Sequence, residues 1–108
     1  MSKTLLVIDV QNDFCPGGAL AVSEGDQIIP AINGLMVGYD RVILTQDWHP
    51  KGHSSFASSH NSKAPLDMVE MPHGPQVLWP DHCMQGTFGA QLPADINPDA
   101  AALILRTG

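Results

Sequence analysis

The chain has 108 residues, room for one domain at most, and its 44% apolar content is ordinary for a polypeptide that folds in water. Eleven acidic residues against five basic ones give a formal net charge of -6, which excludes the basic footprint of a nucleic-acid binder and points to a small-molecule partner. Apolar runs reach about six residues, and Asp9 interrupts the start before a signal-like core can form, so no membrane span or export signal is expected and the expected address is the cytosol.

The first predicted strand is Thr4 to Asp9, TLLVID. A helix follows in SEGDQIIPAINGLMVGY, where Ile28, Ile29, Ile32, Leu35 and Met36 recur at helical spacing. Ser23 is available as a cap, and Pro30 sits in the first turn, where its missing N–H costs nothing. A second strand is predicted from Arg41 to Thr45, RVILT, and a third from Ala101 to Arg106, AALILR. Each is a near-continuous apolar run without alternation, the pattern of parallel strands covered on both faces. The stretch from about 46 to 100 is rich in Pro, Gly, His, Ser and Asp and shows no sustained period. Trp48, Phe56, Trp79 and Phe88 argue against its being disordered. Three strands and one helix make a poor stand-alone fold, so the chain reads as the front part of a larger α/β domain, with an exposed edge at the third strand.

Chemistry concentrates at the strand ends. Asp9 closes the first predicted strand, where open α/β sheets place ligands, although an aspartate there can equally serve the backbone N–H groups of the next loop. After the second strand comes TQDWHP. In extended chain, Asp47 and His49 share a face and could grip one cation, but on their own they read more readily as hydrogen-bonded side chains. A third ligand is on offer in LWPDHCMQGT, where His82 lies beside Asp81 and Cys83, and His53 is a candidate fourth. Nitrogen and carboxylate donors without a thiolate cage suit zinc, manganese or iron with open coordination positions. His60 and His73 lack supporting neighbours and are expected at the surface. Without an export signal, Cys15 and Cys83 are expected to be free thiols, Cys15 packed under the Pro-Gly-Gly turn. Phe14 and Trp79 are either core or the flat walls of a slot for a planar ring.

Taken together and in order, LLVIDVQNDFCPGGAL, VILTQDWHPKGHSSFAS and LWPDHCMQGTFGA resemble the nicotinamidase (pyrazinamidase) branch of the isochorismatase-like cysteine hydrolases. The resemblance covers essentially the whole chain. It implies a three-layer, Rossmann-like α/β fold with a mostly parallel sheet, of which residues 1–108 are the N-terminal part of one domain without an internal boundary. The implied activity is hydrolysis of nicotinamide, or pyrazinamide-like aromatic amides, to the acid and ammonia through a cysteine thioester. Position by position, Asp9 matches the catalytic aspartate, Asp47, His49 and His82 the metal ligands, with His53 a further ligand in some members, and Phe14 and Trp79 the residues that sandwich the ring. One divalent metal is implied, zinc ahead of manganese or iron, with an aromatic amide as partner, no nucleic acid or membrane, and homo-oligomerisation left open.

Two departures accompany the match. The family carries a catalytic lysine just after the third strand, where this chain has Thr107 in LILRTG, and Arg106 cannot copy a lysine's compact charge. Neither Cys15 nor Cys83 matches the nucleophile, so these residues alone are expected to be inactive. The alternatives are another hydrolase of the same fold, or an inactive metal-binding fragment.

Overall fold

The computed structural model describes residues 2–108. Strand β1 (Thr4–Val7) leads into helix α1 (Ile29–Met36), then strand β2 (Arg41–Asp47), the hairpin strands β3 (Met68–Met71) and β4 (Gly74–Val77), and strand β5 (Leu103–Thr107). β1, β2 and β5 form a parallel sheet with β2 in the centre.

Strand ends differ from the sequence expectation in ways that matter for the site. β1 stops at Val7 rather than Asp9, because Asp9 adopts a left-handed φ of 56° that no strand can hold. β2 runs two residues past the predicted Thr45, so Asp47 is its last member. β5 is shifted to Leu103–Thr107, which brings Thr107 into register with Asp47.

α1 is short. It follows a 3-10 turn at Gly25–Ile28, has Pro30 in its first turn, and is entered at Ile28 without a side-chain cap, so Ser23 does not cap it. Ile29 and Met36 are buried against Val7, Val10, Val42, Leu44 and Ile96, with Leu5, Ile32, Leu92 and Ala101 packed around them. Each fully buried aliphatic chain of this kind contributes about 1.5–3 kcal/mol.

Coverage on both faces was the expectation for the sheet, and β2 instead alternates buried and half-buried. Only the face carrying Val42 and Leu44 meets α1. On the other face Leu6 and Leu103, the register partners of Ile43, are about half exposed, as is Leu105 opposite Thr45. The described residues thus supply a parallel sheet and one helical layer.

The long segment between β2 and β5 is ordered by its own small core. Phe56, Leu78, Cys83 and Ala90 are wholly buried. Parallel bridges pair His49 with Met84 and Phe56 with Trp79, and Leu66 and Asp67 each exchange a backbone bond with Leu78. The β3–β4 hairpin, turned at Pro72 and His73, escaped the sequence reading because Pro75 interrupts its second strand. Proline is tolerated there because the pair has no further neighbour.

Candidate metal centre

Asp47, His49 and His82 converge: one potential ligand atom from each lies within 4.8 Å of the others. Asp47 arrives at the C-terminal end of the central strand. His49, two residues on, is fixed by its amide bond to the Cys83 carbonyl, and its own carbonyl accepts from the Gln85 amide. Asp47 Oδ2 lies 3.6 Å from His49 Nε2 and 3.9 Å from His82 Nε2. Both imidazoles are buried, and they meet edge to face at 5.0 Å with Phe56 packed against both.

The donor set fits a borderline divalent cation. His82 Nδ1 donates to the Pro80 carbonyl at 2.8 Å, a bond that needs the proton on Nδ1 and leaves Nε2 as a lone pair facing Asp47. Among the described residues His49 Nδ1 is buried without a hydrogen-bond partner, the kind of unmet polar atom that a bound ion or water satisfies. One carboxylate oxygen and two imidazole nitrogens make a three-ligand set, the donor count of sites that keep a position open for exchangeable ligands.

His53 stands next to this cluster rather than in it. Its ring lies 4.3 Å from that of His49. Burial, then the proximity of His49 and His82, lowers its pKa against a smaller upward pull from Asp47. Its Nδ1 accepts the Ser55 amide at 3.2 Å and contacts the Ser55 hydroxyl at 2.7 Å. Asp81 is exposed and accepts the Ser58 hydroxyl.

Asp9 is half-buried and held by Thr45, whose Oγ1 donates to Asp9 Oδ1 at 2.7 Å. It lines a cavity of about 320 Å³ with Ile8, Gln11, Phe14, Cys15 and Val22. Phe14 faces His82 at 5.8 Å. Trp79 is not among the lining residues of that cavity, and among the described residues its ring makes no stacking contact with Phe14; its backbone is instead tied to Ser55 and Ala57. Trp48 packs under Arg106, whose guanidinium carbon lies 3.9 Å above the indole. Arg106 is in register with Gln46 and Thr107 with Asp47, so Thr107 is on the site face and Arg106 on the opposite one.

Both cysteines are free. Burial, reinforced by Asp13, Asp47 and Asp9, pushes the Cys83 thiol up to about 12, so it stays protonated and inert. Cys15 is only half-buried beneath the Pro-Gly-Gly turn; burial and then Asp26 raise its pKa as well. His73 is exposed, and His60 is half-buried with Nε2 against the Ser54 carbonyl.

Two residues at this site escaped the sequence reading. Gln11 is wholly buried, and Asp13 reaches the Cys83 amide at 2.7 Å. A polar Gln-Asn-Asp run straight after an apolar strand was the available signal, since such a run is buried only where it has backbone to satisfy.

Comparison with known proteins bears on the whole of this geometry. No family model matches the chain. It is 55% identical over 104 residues to the nicotinamidase of Acinetobacter baylyi, covering 96% of this chain and 49% of that relative. Nearly the whole chain is thus similar to about half of a nicotinamidase, in the Escherichia coli protein as well, at 44% identity. Among solved structures, the chain superposes on an Acinetobacter baumanii nicotinamidase/pyrazinamidase with a TM-score of 0.94 at 52% identity, covering 97% of this chain and 51% of the other. It also superposes on a Pyrococcus horikoshii pyrazinamidase in complex with zinc, with a TM-score of 0.73 at 37% identity and 100% and 52% coverage. An isochorismatase-like hydrolase from Alkaliphilus metalliredigens shares the fold, with a TM-score of 0.71 at 21% identity, so the α/β fold class with a mostly parallel sheet is that of these neighbours. The chain spans about half the length of the curated relatives it matches.

Proposed function

We infer that residues 1–108 contribute the metal-binding half of a nicotinamidase active site, as part of one hydrolase domain without an internal boundary. The observation that carries this is the convergence of Asp47, His49 and His82 beside the Asp9 cavity, in a chain that is 55% identical to a nicotinamidase. A divalent cation on these ligands, with zinc the first candidate, would take the ring nitrogen of an aromatic amide and so orient its carboxamide. Phe14 would form one wall against the ring, with Trp79 opposite once substrate is in place.

Asp9 is the acid–base group of this reading. A cysteine thiol from outside these residues passes its proton to Asp9 as sulfur attacks the carboxamide carbon. Asp9 returns the proton to nitrogen as the C–N bond breaks and ammonia departs. Water then cleaves the thioester, giving the acid and restoring the thiol. Cys83, with its thiol up at about 12, cannot stand in as nucleophile, so the 108 residues by themselves turn over no amide.

Elemental analysis of the protein at its full natural length, beside His82→Ala, tests the reading together with ammonia release from nicotinamide. Near-stoichiometric zinc, manganese or iron that is lost in the variant, with ammonia produced by the parent, is the expected result. A metal-free parent, or one that leaves nicotinamide intact, would overturn it.

A further inference from the structure

The three ligands of the proposed metal centre come from two segments that are distant in sequence, and one short loop touches the backbone of both. Gln11 reaches the first. β1 ends at Val7, so the backbone of Asp47, on the side where β1 would have continued the ladder, has no strand partner. The Gln11 carboxamide takes that place: its Oε1 accepts the Asp47 amide at 2.9 Å and its Nε2 donates to the Asp47 carbonyl at 2.8 Å. The same Nε2 donates to the Ala90 carbonyl at 2.8 Å, so both amide hydrogens are used in a side chain that is wholly buried.

Asp13 reaches the second segment. Its Oδ2 accepts the amide of Cys83 at 2.7 Å, one residue beyond His82, and its Oδ1 accepts the Ala19 amide at 3.1 Å. Cys83 holds a left-handed φ of 48°, an uncommon conformation for a residue with a side chain, and a charge-assisted bond to its amide is suited to keeping it there. Gly89 closes the other side, where a Cβ would overlap the Asp13 carboxylate. Asn12, between the two, reaches neither segment and donates instead to the Phe88 carbonyl.

We propose that Gln11 and Asp13 are positioning residues for the metal centre, which set Asp47 against His82 by clamping the backbone of the two ligand-bearing segments to one loop. The inference rests on the metal-site reading above. It adds that the spacing of the ligands depends on two side chains that touch no ligand atom. Residues that orient metal ligands in this indirect way typically change affinity by about tenfold to a hundredfold when replaced.

The test uses the full natural-length protein, zinc(II) affinity by competition with a chromophoric chelator, the visible spectrum of bound cobalt(II), and thermal midpoints. Gln11→Met and Asp13→Asn should each weaken zinc about tenfold or more and alter the cobalt(II) bands. Asn12→Ala, which loses a bond in the same loop, should keep affinity within about threefold and leave the bands unchanged. Gly89→Ala should behave like Asp13→Asn, because it displaces the carboxylate without removing it. Should Gln11→Met fail to fold, Asp13→Asn and Gly89→Ala decide. Parental zinc affinity and spectrum in both of these would overturn the proposal while the metal site stands, and so would an equal loss in Asn12→Ala. A parent that binds neither ion would remove the metal-site reading and this inference with it.

Discussion

Thr45 and Asp9 grip each other twice: the Thr45 hydroxyl donates to Asp9 Oδ1 at 2.7 Å and accepts the Asp9 amide at 3.0 Å. Asp9 has left the strand with a left-handed φ, and this pair of bonds, joined by its amide contact to the Thr45 carbonyl at 3.2 Å, keeps the carboxylate at the sheet's C-terminal edge. Thr45→Val removes the hydroxyl at nearly constant volume and should cost about 1–2 kcal/mol in urea unfolding, whereas Thr45→Ser should retain most of that. An unchanged midpoint for the valine variant would show the hydroxyl to be idle.

The roles given to Asp9 and to the three-ligand cluster separate cleanly by experiment. Asp9→Asn keeps shape and hydrogen-bonding capacity but cannot shuttle a proton. In the full natural-length protein it should lower amide turnover by roughly 10²- to 10⁴-fold while metal content stays at the parental level. Loss of metal together with activity in Asp9→Asn would place this residue in the metal centre instead.

Thr107 stands on the site face by register with Asp47, and Arg106 is turned away onto Trp48. A lysine at position 107 would therefore bring its ammonium to the mouth of the site, and one at position 106 would not. Thr107→Lys is expected to raise the amidase kcat/KM of the full natural-length protein about tenfold or more, through charge placed where negative charge develops, with Arg106→Lys without benefit. Equal rates for Thr107→Lys and the parent would show that this position carries no part of the reaction.

Much of this was legible in the sequence because it rests on short-range rules. Apolar runs gave the three parallel strands, the spacing of Ile29, Ile32 and Met36 gave α1, and Asp47 and His49 two apart at a strand end did come to share a face. What stayed hidden depends on partners far away in the chain. Gln11 could not be assigned without knowing that β1 ends early and leaves Asp47 in need of a ladder partner. The second small core around Phe56, Leu78 and Cys83 has no period to detect, since its members come from irregular turns. The half-covered sheet was hidden for another reason: continuous apolar strands state what a sheet is built to contact, and the described residues supply only one of the two layers.

The two thiols should differ sharply with pH. Burial, reinforced by Asp13, Asp47 and Asp9, carries Cys83 from 9.0 to about 12, whereas Cys15 is half-buried and raised chiefly by burial. Between these two values the unfolded chain releases a proton from Cys83 that the folded chain retains. The stability this thiol contributes is therefore complete below about pH 9 and declines as pH rises toward 12. Mass-spectrometric tracking of iodoacetamide at pH 8 to 10 should find Cys15 labelled first and Cys83 unlabelled until the protein unfolds. Rapid labelling of Cys83 in the folded protein would contradict its burial.

The uncovered face of the sheet has a consequence for residues 1–108 expressed alone. Leu6, Leu103 and Leu105 lie side by side across the three strands, each about half exposed, with Ile43 between them. Free strand edges flank this face at β1 and β5, so both apolar area and unpaired backbone groups invite association. Sedimentation of the 108-residue polypeptide should show mass rising with concentration. Leu103→Lys and Leu105→Lys, which place charge on that face without touching the α1 side, should shift it toward the monomer with little change in secondary structure by circular dichroism. A polypeptide that stays monomeric at all concentrations would mean that the exposed face is not adhesive, and that the sheet with its single helical layer is sufficient in water.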